Sequence, residues 1–278
     1  MMNIANITGY KFTPITDTKL LQEKIINLSE ENNLKGTVLI SDKGINFSVA
    51  GLIENTSNFL KVIKKDEQFS DIDIKTTFNE YQPFRKMLVR IKKEIISMGV
   101  DEINPYEFTG EKIKPFELNK KLDAGEDVIL LDTRNEYEVR LGTFENAIDL
   151  NLDSFRDFPT KINGLREQIG DKEIVMFCTG GVRCEKASAL MLKSGFKNVK
   201  QIDGGVINYF KETGGAHWKG DCFVFDDRVA LDKELNETDY VLCFRCREPL
   251  NKDEIASEHY KIDEYCPYCY GDVVTKKS

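Results

Sequence analysis

Ile174-Val175-Met176-Phe177-Cys178-Thr179-Gly180-Gly181-Val182-Arg183-Cys184-Glu185-Lys186-Ala187-Ser188 is the stretch whose reading decides the fold. Its first four residues make an apolar run of the length of a buried parallel strand. Beyond the loop, Ala187, Leu190 and Met191 recur at helical spacing until Gly195. The pattern is strand, tight loop, helix. Gly180 and Gly181 let the loop backbone curl so that successive N–H groups face Cys178, and the following helix adds the positive end of its dipole. Such a cradle favours an anion and moves a thiol toward thiolate, into the range of roughly 3.5 to 7.5 known for cysteines at helix N-termini or beside cations. Cys178 is the expected nucleophile and Thr179, Gly180, Gly181, Val182 and Arg183 its loop; the competing reading is a buried structural cysteine. Cys184 is either a resolving thiol or a residue that fills the helix start.

Working outward, strands alternate with helices on both sides of this unit. Pro115, Leu118, Leu122 and Gly125 mark a helix with proline at its start and glycine at its end, and Val128-Ile129-Leu130-Leu131 is a buried strand ending in Asp132-Thr133-Arg134. Val199 to Ile202 is a further strand, followed by a short helix after Asp203-Gly204-Gly205. Residues 115–214 are expected to form a parallel α/β domain with the reactive loop at the carboxyl end of a strand. Residues 99–114, with Gly99, Pro105 and Gly110, read as a linker.

Upstream, Asp17 offers a cap to an amphipathic helix carrying Leu21, Ile25 and Leu28. Gly36 to Ile40 and Ile45 to Val49 flank Asp42-Lys43-Gly44 as a hairpin. A second helix around Phe59, Leu60 and Ile63 and strands at Ile72 to Phe78 and Met87 to Ile91 complete residues 1–98. The order βαββαβ fits a ferredoxin-like, acylphosphatase-like sandwich. Arg85, Lys86, Arg90, Lys92 and Lys93 put five cations into nine residues, interleaved with apolar ones. They are either a solvated strand face or a phosphate-contacting stripe.

The net charge of −8 argues against a surface that is basic throughout, but it is unevenly spread: 0 over residues 1–105, −3 over 106–214 and −5 over 215–278. A polyanion is least repelled by the first third. With 41% hydrophobic residues the 278-residue chain can fill two packed cores plus an appendage. Its apolar runs are too short to span a bilayer, and the first residues lack the pattern of a signal peptide, so a cytoplasmic protein is expected.

Four of the seven cysteines form Cys243-Phe244-Arg245-Cys246 and Cys266-Pro267-Tyr268-Cys269, with 19 residues between the pairs. That spacing lets each pair chelate one side of a tetrahedral ion, so a structural zinc is expected in a cysteine-rich extension over residues 215–278. The alternative is free or redox-active thiols. His217 and His259 are the only histidines, and a two-histidine, one-carboxylate iron site would need both to converge.

The Cys178 loop resembles that of rhodanese sulfurtransferases, in which a Cys-x-x-Gly-x-Arg pattern carries a persulfide. Phosphatases of related fold leave one more residue between Cys and Arg, so sulfur rather than phosphate is the expected passenger. Asp132 and Arg134 resemble the Asp-x-Arg that braces the neighbouring loops in rhodanese domains. Where rhodaneses usually show Gly-His-Ile-Pro-Gly-Ala, this chain has Gly142-Thr143-Phe144-Glu145-Asn146-Ala147. Taken with Asp132 to Glu138, Phe155-Arg156-Asp157-Phe158-Pro159, Gln201 to Gly205 and Trp218 to Val229, the loop resembles the bacterial rhodanese-domain tRNA uridine hydroxylases. These convert the wobble uridine at position 34 to 5-hydroxyuridine with molecular oxygen.

The resemblance implies a tRNA partner, oxygen as co-substrate and an essential Cys178. No glycine-rich dinucleotide loop is visible, so no flavin, NAD or haem site is expected; the residues name neither the electron donor nor the oligomeric state. A sulfurtransferase working through a Cys178 persulfide and a non-catalytic RNA-binding adaptor stay open at this point.

Overall fold

The computed structural model describes residues 3–275. The first sheet contains β1 (Ile4–Phe12), β2 (Lys35–Ser41), β3 (Gly44–Leu52), β4 (Ile74–Asn79) and β5 (Met87–Ile91), with helices α1 (Thr18–Glu31) and α2 (Ile53–Ile63). Asp17 caps α1, its carboxylate accepting from the N–H groups of Lys19 and Leu20. Leu21, Ile25, Phe59 and Ile63 of the helices share one core with Ile7, Val38, Phe47 and Val49 of the strands. Strand order is β4-β1-β3-β2-β5. The first four strands pair antiparallel, as a ferredoxin-like sandwich requires. β5 is a surplus strand that joins the outer edge parallel to β2.

The second sheet is all parallel, in the order β6-β11-β10-β7-β9. Its chain order is β6 (Glu111–Ile113), α3 (Pro115–Asp123), β7 (Val128–Asp132), α4 (Glu136–Val139), β8 (Gly142–Phe144), β9 (Ile148–Asp149), α5 (Phe158–Lys161), α6 (Leu165–Ile169), β10 (Glu173–Phe177), α7 (Val182–Lys193), β11 (Val199–Ile202) and α8 (Gly205–Thr213). Successive residues of β10 point to opposite faces, as a strand must. Ile174 and Met176 join Phe158, Ala187 and Met191 on one side, whereas Val175 and Phe177 join Leu118, Val206 and Tyr209 on the other. Both faces are covered, so β10 is apolar from Ile174 to Phe177 and its carboxyl end is held in place.

One stretch differs from expectation. Residues 99–114 are not a plain linker: β6 lies within them, and Ile103 is buried in the α7-side core beside Met98. The extension after residue 214 also packs on the parallel sheet. β12 (Trp218–Gly220) pairs antiparallel with β8, and Trp218, Cys222, Val224 and Leu231 complete the α8-side core. In both cases apolar side chains find their burial on the parallel sheet, which overrides the local loop character. β13 (Cys222–Phe223) and β14 (Ala230–Leu231) form a short hairpin, then β15 (Val241–Leu242) and β16 (Pro249–Leu250) open the cysteine-rich part. No helix among the described residues is long and apolar enough to cross a membrane.

Candidate active site

β10 ends at Phe177 and α7 begins at Val182, so Cys178 sits where a buried strand meets a helix N-terminus. Gly181 caps α7 with φ +97°, a backbone region that side chains disfavour, and its N–H donates to the Cys178 sulfur at 3.1 Å. The start of α8 clamps the loop from outside: Val206 N–H donates to the Cys178 carbonyl at 3.0 Å and Ile207 N–H to that of Thr179 at 3.2 Å. Gly205 makes this possible, since a Cβ there would lie 2.5 Å from the Cys178 carbonyl oxygen. Gly180 faces open space.

Cys178 is buried, with its amides facing inward to the sulfur. Burial alone pushes its thiol up. The Cys184 thiol, the positive charge of Arg183 and the backbone N–H groups of Cys184 and Arg183 overcome that and lower it to about 5. Cys184 pays the converse, being pushed well up by burial and by donating to Cys178; its sulfur also lies 3.6 Å from Thr133 Oγ1. The asymmetry favours negative charge on Cys178 and a proton on Cys184.

Arg183 does not turn its fork toward the loop, contrary to the simplest form of the cradle. Its guanidinium makes a bidentate pair with Glu138 at 2.5 and 2.7 Å, both side chains being almost wholly enclosed. Burial alone would raise the Glu138 carboxyl, but the charge and hydrogen bonds of Arg183 and the charge of Arg134 hold it below the usual range. Thr179 Oγ1 also reaches Glu138, at 3.3 Å. Beside this pair, Arg134 binds Asp132 through Nε (2.9 Å) and Nη2 (2.7 Å), with neither side chain exposed. Arg134 also donates to the carbonyls of Gly142 and Glu138, and Thr143 Oγ1 donates to Asp132. Both arginines thus act on the loop through carboxylates and backbone.

The first domain also reaches the site. Tyr10 of β1 donates to Glu185 of α7 at 2.9 Å, and its hydroxyl lies 3.0 Å from where a Cβ on Gly181 would be. Thr109 and Gln201 bind the other oxygen of Glu185 at 2.8 and 3.0 Å. Lys186 pairs with Glu94. Sequence reading missed Glu138, Tyr10 and Glu185. Only Glu138 had a local signal, the Asn135-to-Glu138 capping box that opens α4.

Arg85, Lys86, Arg90, Lys92 and Lys93 are all exposed, on or beside β5 at the edge of the first sheet. Arg85 lies 3.7 Å from Asp227 and Lys93 2.7 Å from Asp101. Cys243, Cys246, Cys266 and Cys269 converge, all four sulfurs lying within 4.8 Å of one another. The closest separations are 3.5, 3.9 and 4.0 Å, against about 3.8 Å expected between thiolates at tetrahedral bonds of 2.3 Å. The donor set and spacing fit a metal ion. The histidines go elsewhere: His217 binds Asp123 at 2.7 Å, and His259 stacks on Tyr270.

Fold and site together define a rhodanese-like α/β protein with an anion-cradled cysteine, joined to an acylphosphatase-like domain. Residues 4–95 match the UPF0176 acylphosphatase like domain and residues 114–212 the Rhodanese-like domain. Proteins named tRNA uridine(34) hydroxylase align along nearly the whole chain. The one from Cupriavidus pinatubonensis is 42% identical over 97% of this chain and 98% of its own length. That from Cupriavidus metallidurans is 40% identical over 96% and 97%. The chain belongs to this tRNA uridine(34) hydroxylase family.

Proposed function

We propose that this protein hydroxylates the wobble uridine of tRNA at its C5 carbon, with molecular oxygen as co-substrate and Cys178 as the reacting group. The observation that carries the reading is the Cys178 sulfur at the start of α7, accepting from the Gly181 N–H at 3.1 Å, where the Cys184 thiol and the charge of Arg183 draw its thiol down. A thiolate adding to C6 of the uracil ring breaks the C5–C6 π bond and leaves C5 carbanion-like, ready to take oxygen; loss of the C5 proton with expulsion of the thiolate from C6 then restores the double bond and frees Cys178. One oxygen atom enters the base and the other leaves as water, which consumes two electrons from a reductant. Gly180, Gly181 and Val182 shape the loop, and Thr179 ties it to Glu138. Asp132 and Arg134 brace the neighbouring backbone.

We assign Cys243, Cys246, Cys266 and Cys269 to a structural zinc. Four thiolates close the coordination shell and staple a segment whose own core is small. The Arg85-to-Lys93 cations are assigned to tRNA phosphates. A tRNA substrate implies a cytoplasmic enzyme, and we take residues 1–98, 115–214 and 215–278 as its functional units, with 99–114 between them.

The test is genetic and chemical. Total tRNA from cells lacking the gene, complemented with wild type or with Cys178→Ala, is digested and its nucleosides measured by mass spectrometry. Loss of 5-hydroxyuridine-derived nucleosides in the deletion and in the Cys178→Ala strain is expected. Restoration by Cys178→Ala would overturn the role of the sulfur. Tethering of 5-fluorouridine RNA to Cys178 under turnover checks the addition step.

A further inference from the structure

The sulfur of Cys178 is buried, yet one large apolar ring beside its loop is not. Phe225 is 59% exposed, in the turn that joins β13 to β14. Its ring packs edge-on against Phe223 at 5.1 Å, and the Arg183 guanidinium lies 5.8 Å from its centroid. Phe223 is itself tied to the Cys178 loop, its carbonyl accepting from Thr179 Oγ1 at 3.3 Å.

The turn is braced on its other side by the first domain. Asp226 and Arg228 form a buried pair at 2.6 Å, and Arg228 donates onward to Thr77 Oγ1 of β4 at 2.8 Å. Asp227 N–H donates to the Pro83 carbonyl at 2.9 Å, and the Asp227 carboxylate lies 3.7 Å from Arg85. Val224 N–H closes the turn on the Val229 carbonyl at 2.8 Å. Phe225 is therefore displayed from a fixed backbone between the reactive loop and the start of the cationic stripe.

We propose that Phe225 is the platform on which a base of the substrate's single-stranded loop stacks, positioning the uridine for Cys178 while Arg85 and Lys86 meet the adjacent phosphates. This rests on the tRNA reading above. A base attacked by a protein nucleophile must leave its stack, and an aromatic face replaces the stacking it loses. A phenyl ring accepts any base, so it sets position rather than sequence. Lone exposed apolar residues are common. The anchoring of this one on both sides, with cations beside it and the thiolate loop behind, is what points to RNA.

The experiment measures binding of a fluorescein-labelled anticodon stem-loop RNA, with uridine at the wobble position, to the full chain and three variants. Phe225→Ala is expected to bind about 5- to 100-fold more weakly, Phe225→Tyr within about twofold of wild type, and Phe225→Leu, which keeps apolar area without a π face, close to Ala. The ultraviolet thiolate transition of Cys178 should be unchanged in all three, which shows the loop intact. Wild-type affinity in the Ala or Leu variant overturns the stacking role while leaving the tRNA reading standing. A wild-type protein that binds the stem-loop no better than a duplex of equal length overturns the tRNA reading, and this inference with it.

Discussion

The chain carries two cysteine sites that solve the same electrostatic problem in opposite ways. At Cys178 negative charge on one buried sulfur is favoured from within the protein, by an amide at 3.1 Å, a neighbouring thiol and a nearby arginine. At Cys243, Cys246, Cys266 and Cys269 four sulfurs crowd within 4.8 Å, with the Cys266 N–H donating to the Cys269 sulfur at 3.3 Å, and the set has the composition and spacing to hold a metal ion. A thiolate held by hydrogen bonds keeps its lone pairs for chemistry; one bound to a metal in a closed shell has given them up. The contrast is what assigns, in our proposal, chemistry to the first site and structure to the second.

The largest expected effect breaks the comparison at its reactive end. Cys178→Ala should abolish 5-hydroxyuridine-derived nucleosides, at least about 100-fold below wild type, while zinc content by elemental analysis stays at one ion per chain. Cys266→Ser should do the converse first, losing the metal and lowering the apparent melting temperature. Next comes the support of the loop. Glu138→Ala leaves Arg183 buried without its carboxylate and should cost about 3 to 5 kcal/mol in urea-unfolding stability.

A subtler test follows the thiolate by ultraviolet absorbance against pH, with Cys178→Ala subtracted. With the thiol lowered to about 5, the signal is expected to rise as pH increases through that region and to be largely complete by neutrality. Cys184→Ala removes a lowering contribution and should move the transition upward. The smallest effect lies farthest from the sulfur. Lys86→Ala, Arg90→Ala and Lys92→Ala should each reduce the logarithmic salt dependence of RNA binding by about 0.7 to 0.9. An unchanged slope would return the stripe to being a solvated strand face.

Much of this was legible along the chain, and for an identifiable reason. Strand, glycine pair and helix start are contiguous, so the Cys178 cradle could be read locally, as could the two Cys-x-x-Cys pairs. The partner of Arg183 could not. Its guanidinium is held by Glu138, 45 residues earlier. Tyr10 lies 175 residues from Glu185, and no local pattern links them. Residues 99–114 were misread for a related reason: their glycines and proline signal a loop, while the burial of Ile103 and the edge pairing of β6 exist only once the parallel sheet is assembled.

The amino-acid sequence by itself determined which sulfur ends a core strand at a helix start, which sulfurs gather, and the alternation that makes a parallel sheet, because turn chemistry and hydrophobic period act over a few residues. The tertiary structure alone decided what surrounds the reactive sulfur: the carboxylate that takes Arg183, the tyrosine from the other domain, and the turn that sets Phe225 beside the loop. Those are pairings between distant segments, and their energy appears only when burial removes water from between them.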